Sequence, residues 1–272
     1  MLCPIFLLLL LVHLPFLSVA NSIIGGRETE PDLWPWLVYI IGSNGNTYYE
    51  CAGTLVADEW VLTDVECGKD LNEHIITAYI FKDDIDQRQV YDVIELKNAS
   101  NVELNIVFLR IEYIGSGDPT MIEKVKLACN DDEIVYNVTE GLALGWGTTE
   151  LDPDTNSPPL VSLPVSTLET PFICFRDYFP GLELEVDAPF CASTGSQDSS
   201  VCDNAGTGHP LLVQTEDGAW VQIGVSIGHF GYSCSDHPTI FSRVSMINES
   251  AYEDMRSDCY PPESEDIDPF LI

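Results

Sequence analysis

An all-β fold is what this sequence predicts, and two observations predict it. Between Ile23 and about Val244, short apolar runs rich in Val, Ile, Leu, Tyr and Trp follow one another, and clusters of Gly, Pro, Asn and Asp separate them. The runs expected as strands are Trp36–Ile41, Gly53–Val56, Trp60–Thr63, Ile75–Phe81, Val90–Leu96, Ile106–Ile111, Gly141–Gly145 and Trp220–Ile227. Turn-forming stretches such as Gly42-Ser43-Asn44-Gly45-Asn46 break the chain between them. Ile247, Ala251 and Met255 recur at four-residue spacing, which predicts one short amphipathic helix over about residues 245–257. The stretch Tyr260–Ile272 carries two adjacent prolines and repeated acids and reads as a mobile acidic tail. There is no internal repeat or long linker, and the length suits one or two domains.

Residues 1–20 are apolar, contain no charged side chain, and end in the small-x-small pattern Ser18-Val19-Ala20. They are expected to be a signal peptide, cleaved after Ala20 or after Ser22. No later run is long and apolar enough for a membrane anchor, so the mature chain is expected to be secreted and extracellular. Cysteine usage points the same way. Setting Cys3 aside with the leader leaves an even set, Cys51, Cys67, Cys129, Cys174, Cys191, Cys202, Cys234 and Cys259. An oxidising compartment favours bridges among them, although counting alone permits about 105 pairings. Sequons at Asn98, Asn137 and Asn248 fit export and N-glycosylation.

With 11 basic against 44 acidic residues, the formal net charge is -33. That argues against nucleic acid as a partner. A hydrophobic fraction of 45% supplies enough apolar surface for a large core, so the charge belongs on the surface. Such a field keeps the chain soluble and steers cationic partners toward it; a solvated acidic coat without a specific ligand is the plainer reading.

Several strings, in order, carry a resemblance to a known family: IIGG at 23–26 followed by Trp34-Pro35-Trp36, CAGTLVADEWVLTDVEC at 51–67, NIVFLRI at 105–111, GWG at 145–147 and CDNAGTGHPLL at 202–212. Together they resemble the trypsin/chymotrypsin-like serine proteases over about Ile23 to Cys259. The resemblance implies two six-stranded antiparallel β-barrels, the first over about 23–125 and the second over about 130–247, with the site between them and a terminal helix after them. It implies the bridges Cys51–Cys67, Cys174–Cys191 and Cys202–Cys234, and leaves Cys129–Cys259 as the fourth. A further family pair would need cysteines near Gly141 and Val213, and both are missing together.

At the positions of the family's catalytic triad stand Glu66, Asn105 and Thr207 in place of histidine, aspartate and serine. Acyl transfer by that triad needs a hydroxyl nucleophile, an imidazole base near neutral pKa and a carboxylate orienting the imidazole. A carboxylate with an ordinary pKa of about 4.3 is about two units less basic than imidazole, so Glu66 beside Asp64 reads as an acidic spot. Asn105 brings no charge to stabilise an imidazolium, a change that by itself costs an intact triad about four orders of magnitude. Thr207 is internal and lacks the terminal amine that activates threonine nucleophiles. The loop between Cys202 and Thr207 is one residue longer than the family pattern, and Gly206 stands where the family has an aspartate, with Asp203, set off by the extra residue, as the candidate substitute. Asn21 and Ser22 offer no basic cleavage point ahead of Ile23. At the specificity pocket, the resemblance places Ser200 at the base, Gly228 on one wall, and Thr239 where a second glycine is usual, which narrows the slot.

The reading that follows is an inactive serine protease homolog acting by protein binding, as cofactor, decoy or inhibitor. Its expected partner is a protein of unknown identity: a protease, its substrate or a basic protein. It implies no cofactor, no metal, no nucleic acid and no membrane. Three alternatives stay beside it. One is an acidic luminal or storage protein with no tight partner. Another is a residual or rearranged serine-type endopeptidase using His209, with His229 and His237 on neighbouring segments. The third is a metal site from Asp64, Glu66 and His209, whose mixed ligands suit zinc or calcium. Scarcity of Lys and Arg also predicts unusual resistance of the native protein to trypsin; limited digestion followed by electrophoresis checks this, with persistence of the full-length band expected.

Overall fold

Most strands are buried over consecutive positions, as in residues 61–64 and Thr239–Arg243, because two sheets close on themselves and pack together. The computed structural model describes residues 23–46, 48–68, 71, 74–82, 84–99, 104–116, 121–128, 140–148, 160–167, 189–196, 199–201, 207–228, 237–247, 250–251 and 259–260. In chain order the strands are β1 (Ile23–Ile24), β2 (Arg27–Glu28), β3 (Leu37–Ser43), β4 (Tyr48–Ala57), β5 (Trp60–Asp64), β6 (Ile75–Lys82), β7 (Asp84–Asn98) and β8 (Ile106–Tyr113). They continue with β9 (Lys126–Ala128), β10 (Gly141–Thr148), β11 (Leu160–Thr167), β12 (Pro189–Ser193), β13 (Ser200–Val201), β14 (Pro210–Gln214), β15 (Trp220–Gly228), β16 (Thr239–Arg243) and β17 (Cys259–Tyr260).

The first barrel closes in the order β3-β4-β5-β8-β7-β6. The second runs β10-β11-β12-β16-β15-β14 and returns to β10, every pairing antiparallel. Closure removes exposed edges, which satisfies the backbone without a covering layer. This is the chymotrypsin-like pair of six-stranded barrels.

The boundaries fall differently from the sequence-based expectation in three places. Residues 23–28, expected in the first barrel, belong with the second: β1 pairs with β10 and β13, β2 pairs with β11, and Ile23 is fully buried in the second core. The helix expected from residue 245 does not start there. Val244–Met246 form one 3-10 turn that Ile247 ends in extended backbone, and only Ser250 and Ala251 are helical among the described residues that follow. Tyr260, expected to open the tail, is instead a strand residue, because the backbone of Cys259–Tyr260 pairs in parallel with Leu127 and Ala128.

Aromatic side chains join the barrels. Trp146 of β10 meets Tyr39 at 4.8 Å and Phe81 at 5.7 Å, centroid to centroid, and both of those belong to the first barrel. Trp34 meets Trp36 edge-on and Trp220 of the second barrel at 5.2 Å. One buried polar bond crosses the same interface: Thr54 donates to the Gln222 side-chain oxygen at 2.7 Å. Its burial makes the pairing compulsory, since an unmatched amide there would lose its hydration with nothing in return. Burial and a hydrogen bond to Glu50 hold the Tyr39 phenol far above its ordinary pKa, so it stays neutral in this wall. Replacing Trp146 by alanine should lower stability by about 3–5 kcal/mol, the usual cost of emptying a large aromatic site; urea unfolding against the wild type measures it, with Trp146→Phe losing less.

Candidate functional site

Three short segments bring Glu66, Asn105 and Thr207 to the junction of the barrels. β5 ends at Asp64, whose buried carboxylate accepts the Glu66 N–H at 2.7 Å and so caps the 3-10 turn Val65–Cys67. The side chain of Glu66 itself is exposed. The two acids therefore do not form one acidic spot: Asp64 is spent on the backbone, and only Glu66 faces solvent. The sequence signal for that role was an aspartate directly before a turn.

Asn105 precedes β8 with φ 56, in the left-handed region where asparagine is one of the few tolerated residues. Its carbonyl accepts the Val65 N–H at 2.9 Å, which ties the segment before β8 to the Glu66 turn.

Thr207 is half-buried, and its carbonyl accepts the Ala52 N–H at 2.9 Å. Its hydroxyl lies 3.3 Å from the Cys67 sulfur. Cys67 is bonded to Cys51, so that sulfur carries no hydrogen and the threonine is the donor. Gly208 follows with φ 85; a Cβ there would lie 2.1 Å from the Ala52 oxygen and 2.3 Å from the Thr63 hydroxyl, so only glycine fits.

His209 points the other way. It is 1% exposed, and its ring covers Gly145, where a Cβ would stand 2.0 Å from Cδ2. The Ser226 hydroxyl accepts the His209 N–H at 2.9 Å and lies 3.2 Å from Nδ1, which fits a neutral ring with its proton on Nε2. Burial pushes the His209 pKa down to about 4. The imidazole is thus an interior piece of the second barrel and not a base directed at Thr207. Nor does it join Asp64 and Glu66 as a ligand set: among the described residues no group of three or more His, Cys, Asp or Glu side chains is placed to hold a metal ion. His237 is half-buried, and His229 lies outside the described residues.

At the pocket, Ser200 and Thr239 are both buried, and Thr239 donates to the Val201 carbonyl at 2.7 Å. That bond fastens the β-branched side chain across the strand that carries Ser200. Gly228, with φ 140, pairs with Ile240, the residue after Thr239. Cys191 is disulfide-bonded, while its predicted partner Cys174 and the pair Cys202–Cys234 lie outside the described residues, as does Cys129. Asn98 is exposed at the end of β7; Asn137 and Asn248 are outside the described residues, with Asp203 and Gly206.

Two closed six-stranded barrels, with these positions gathered where they meet, define a trypsin-like serine protease domain. The Trypsin family profile matches residues 23–250, and the chain belongs to that family. It is 25% identical over 270 residues to a tryptase of Mus musculus, covering 87% of this chain and 94% of that protein.

A buried neutral histidine makes stability depend on pH. Its folded pKa of about 4 lies below the ordinary 6.5, so its contribution is complete above 6.5 and is lost as pH falls from there toward 4. Between pH 7 and pH 5 the loss should be roughly 2 kcal/mol. Urea unfolding at both pH values, wild type against His209→Gln, isolates this share from that of the carboxylates; the wild type should fall further by about that amount.

Proposed function

We propose that this chain is a secreted, noncatalytic member of the trypsin family that acts by binding another protein, as a cofactor, decoy or inhibitor. The observation that carries the reading is the company Thr207 keeps. Its hydroxyl donates to a disulfide sulfur, the position of the family's base is an exposed carboxylate, and the imidazole two residues away is buried and neutral. Peptide hydrolysis requires a group that takes the hydroxyl proton and returns it to the leaving amine near neutral pH. No imidazole stands at residue 66, and an amide at Asn105 would stabilise no imidazolium. The apolar leader with its small-x-small ending supports export, and the field of a -33 chain favours cationic partners.

Likeness to a protein named tryptase supports a second reading, residual serine-type endopeptidase activity. A fluorophosphonate probe separates the two. Under conditions that label trypsin completely, the purified protein should stay unlabelled; labelling that disappears in Thr207→Ala would establish a working nucleophile and remove the noncatalytic reading. Affinity capture from the native secretion then tests binding, and the lack of any saturable partner at micromolar concentration would favour the plain acidic luminal protein.

A further inference from the structure

The end of the first barrel remote from Glu66 and Asn105 carries an opening of about 340 Å³. Strand direction fixes its place. Glu66 follows the last residue of β5 and Asn105 precedes the first residue of β8, whereas the opening is bounded by Glu59 before β5 and by Tyr113 at the end of β8. Its floor is apolar, made by Leu55, Ile80, Tyr91 and Ile111.

Two exposed apolar side chains stand at its mouth. The β7–β8 register shifts between Val93 and Glu95, and the bulged residue, Ile94, is turned outward with 41% of its surface in water. Bulges of this kind re-aim a side chain at the expense of one rung of the ladder. Met121, which also lines the opening, is 93% exposed. Methionine is the side chain best suited to adapt to varied apolar partners.

Charge decides what fits there. Asp58, Glu59 and Glu112 line the rim and are exposed. Two cations among the described residues nearby are engaged: Arg110 binds Glu95 at 2.7 Å, and Lys124 binds Asp58 at 2.7 Å. Glu59 and Glu112 thus present their charge beside an apolar floor, on a chain whose overall field is strongly negative.

We propose that this opening is a docking site for a cationic amphipathic segment of another protein, with an apolar side chain seated between Ile94 and Met121 and flanking Lys or Arg residues on Glu59 and Glu112. The chain's own residues 261–272 end in Phe270-Leu271-Ile272, but they carry acids and are repelled by the same rim. The site is separate from the cleft and stands whether or not the cleft cuts peptide bonds.

Fluorescence polarisation of the purified full chain tests it with three labelled hexapeptides of equal length, alternating Lys with Leu, Glu with Leu, and Lys with Ser. Only the Lys-Leu peptide should bind saturably. The double variant Ile94→Ser, Met121→Ser, both at exposed positions, should weaken it at least about tenfold, and Glu59→Gln with Glu112→Gln should flatten its salt dependence. Equal binding of the Lys-Ser peptide, or affinity unchanged in both double variants, would reduce the effect to general attraction by an acidic surface and overturn the site. A large gain in affinity on removing residues 261–272 would make the tail the occupant and overturn the proposal equally.

Discussion

The peptide unit joining Thr207 to Gly208 is held from both barrels, and the geometry of the cleft depends on it. Its carbonyl accepts from Ala52 of the first barrel at 2.9 Å, and the Gly208 N–H donates to Ser226 of the second at 2.9 Å. Gly208 allows this approach because no Cβ intervenes between the loop and Ala52 or Thr63. These bonds are made by the main chain, so they place residue 207 beside the Cys51–Cys67 bridge whatever its side chain is. The same holds for the Val65–Asn105 bond, which sets the other two positions relative to each other. Architecture and chemistry are therefore carried by different atoms. Side chains at 66, 105 and 207 can change their chemistry while the frame that gathers them persists.

Around that seam the interface is stabilised by matched burial. Trp146, Tyr39 and Phe81 supply apolar area, and the Thr54–Gln222 bond satisfies the polar groups that the area encloses. Gln222 also spends its amide nitrogen on the Gly224 carbonyl at 3.1 Å, so neither end of the side chain is idle. His209 follows the same rule inside the second barrel. Ser226 serves both its backbone and its ring, and the neutral imidazole fills the space that Gly145 leaves open.

Much of this was legible in the sequence, and the remainder failed for physical reasons. Strands such as Ile106–Tyr113 and Trp220–Gly228 were visible because they are long, β-branched and bounded by turn formers. The termini were not. Ile23–Ile24 and Cys259–Tyr260 form two-residue strands, too short for any periodicity, and their partners lie far away in the chain. The helix was started too early because Ile247 and Ala251 are buried like a helical stripe, although Ile247 sits in extended backbone beyond a 3-10 turn. In the site, residue types at 66, 105 and 207 were readable one by one. The direction of each side chain was not: nothing in Asp64-Val65-Glu66 says which acid turns inward, and nothing in Thr207-Gly208-His209 says that the imidazole enters the core.

The left-handed backbone at Asn105 bears on how such a chain changes over generations. A position at φ 56 filters its occupants by conformation before any question of chemistry arises, and asparagine, aspartate and glycine pass at least cost. Exchange of a carboxylate for an amide there leaves the fold undisturbed, whereas a β-branched replacement would strain it. The backbone at this place is a filter on side chains, and those it admits form a very short list.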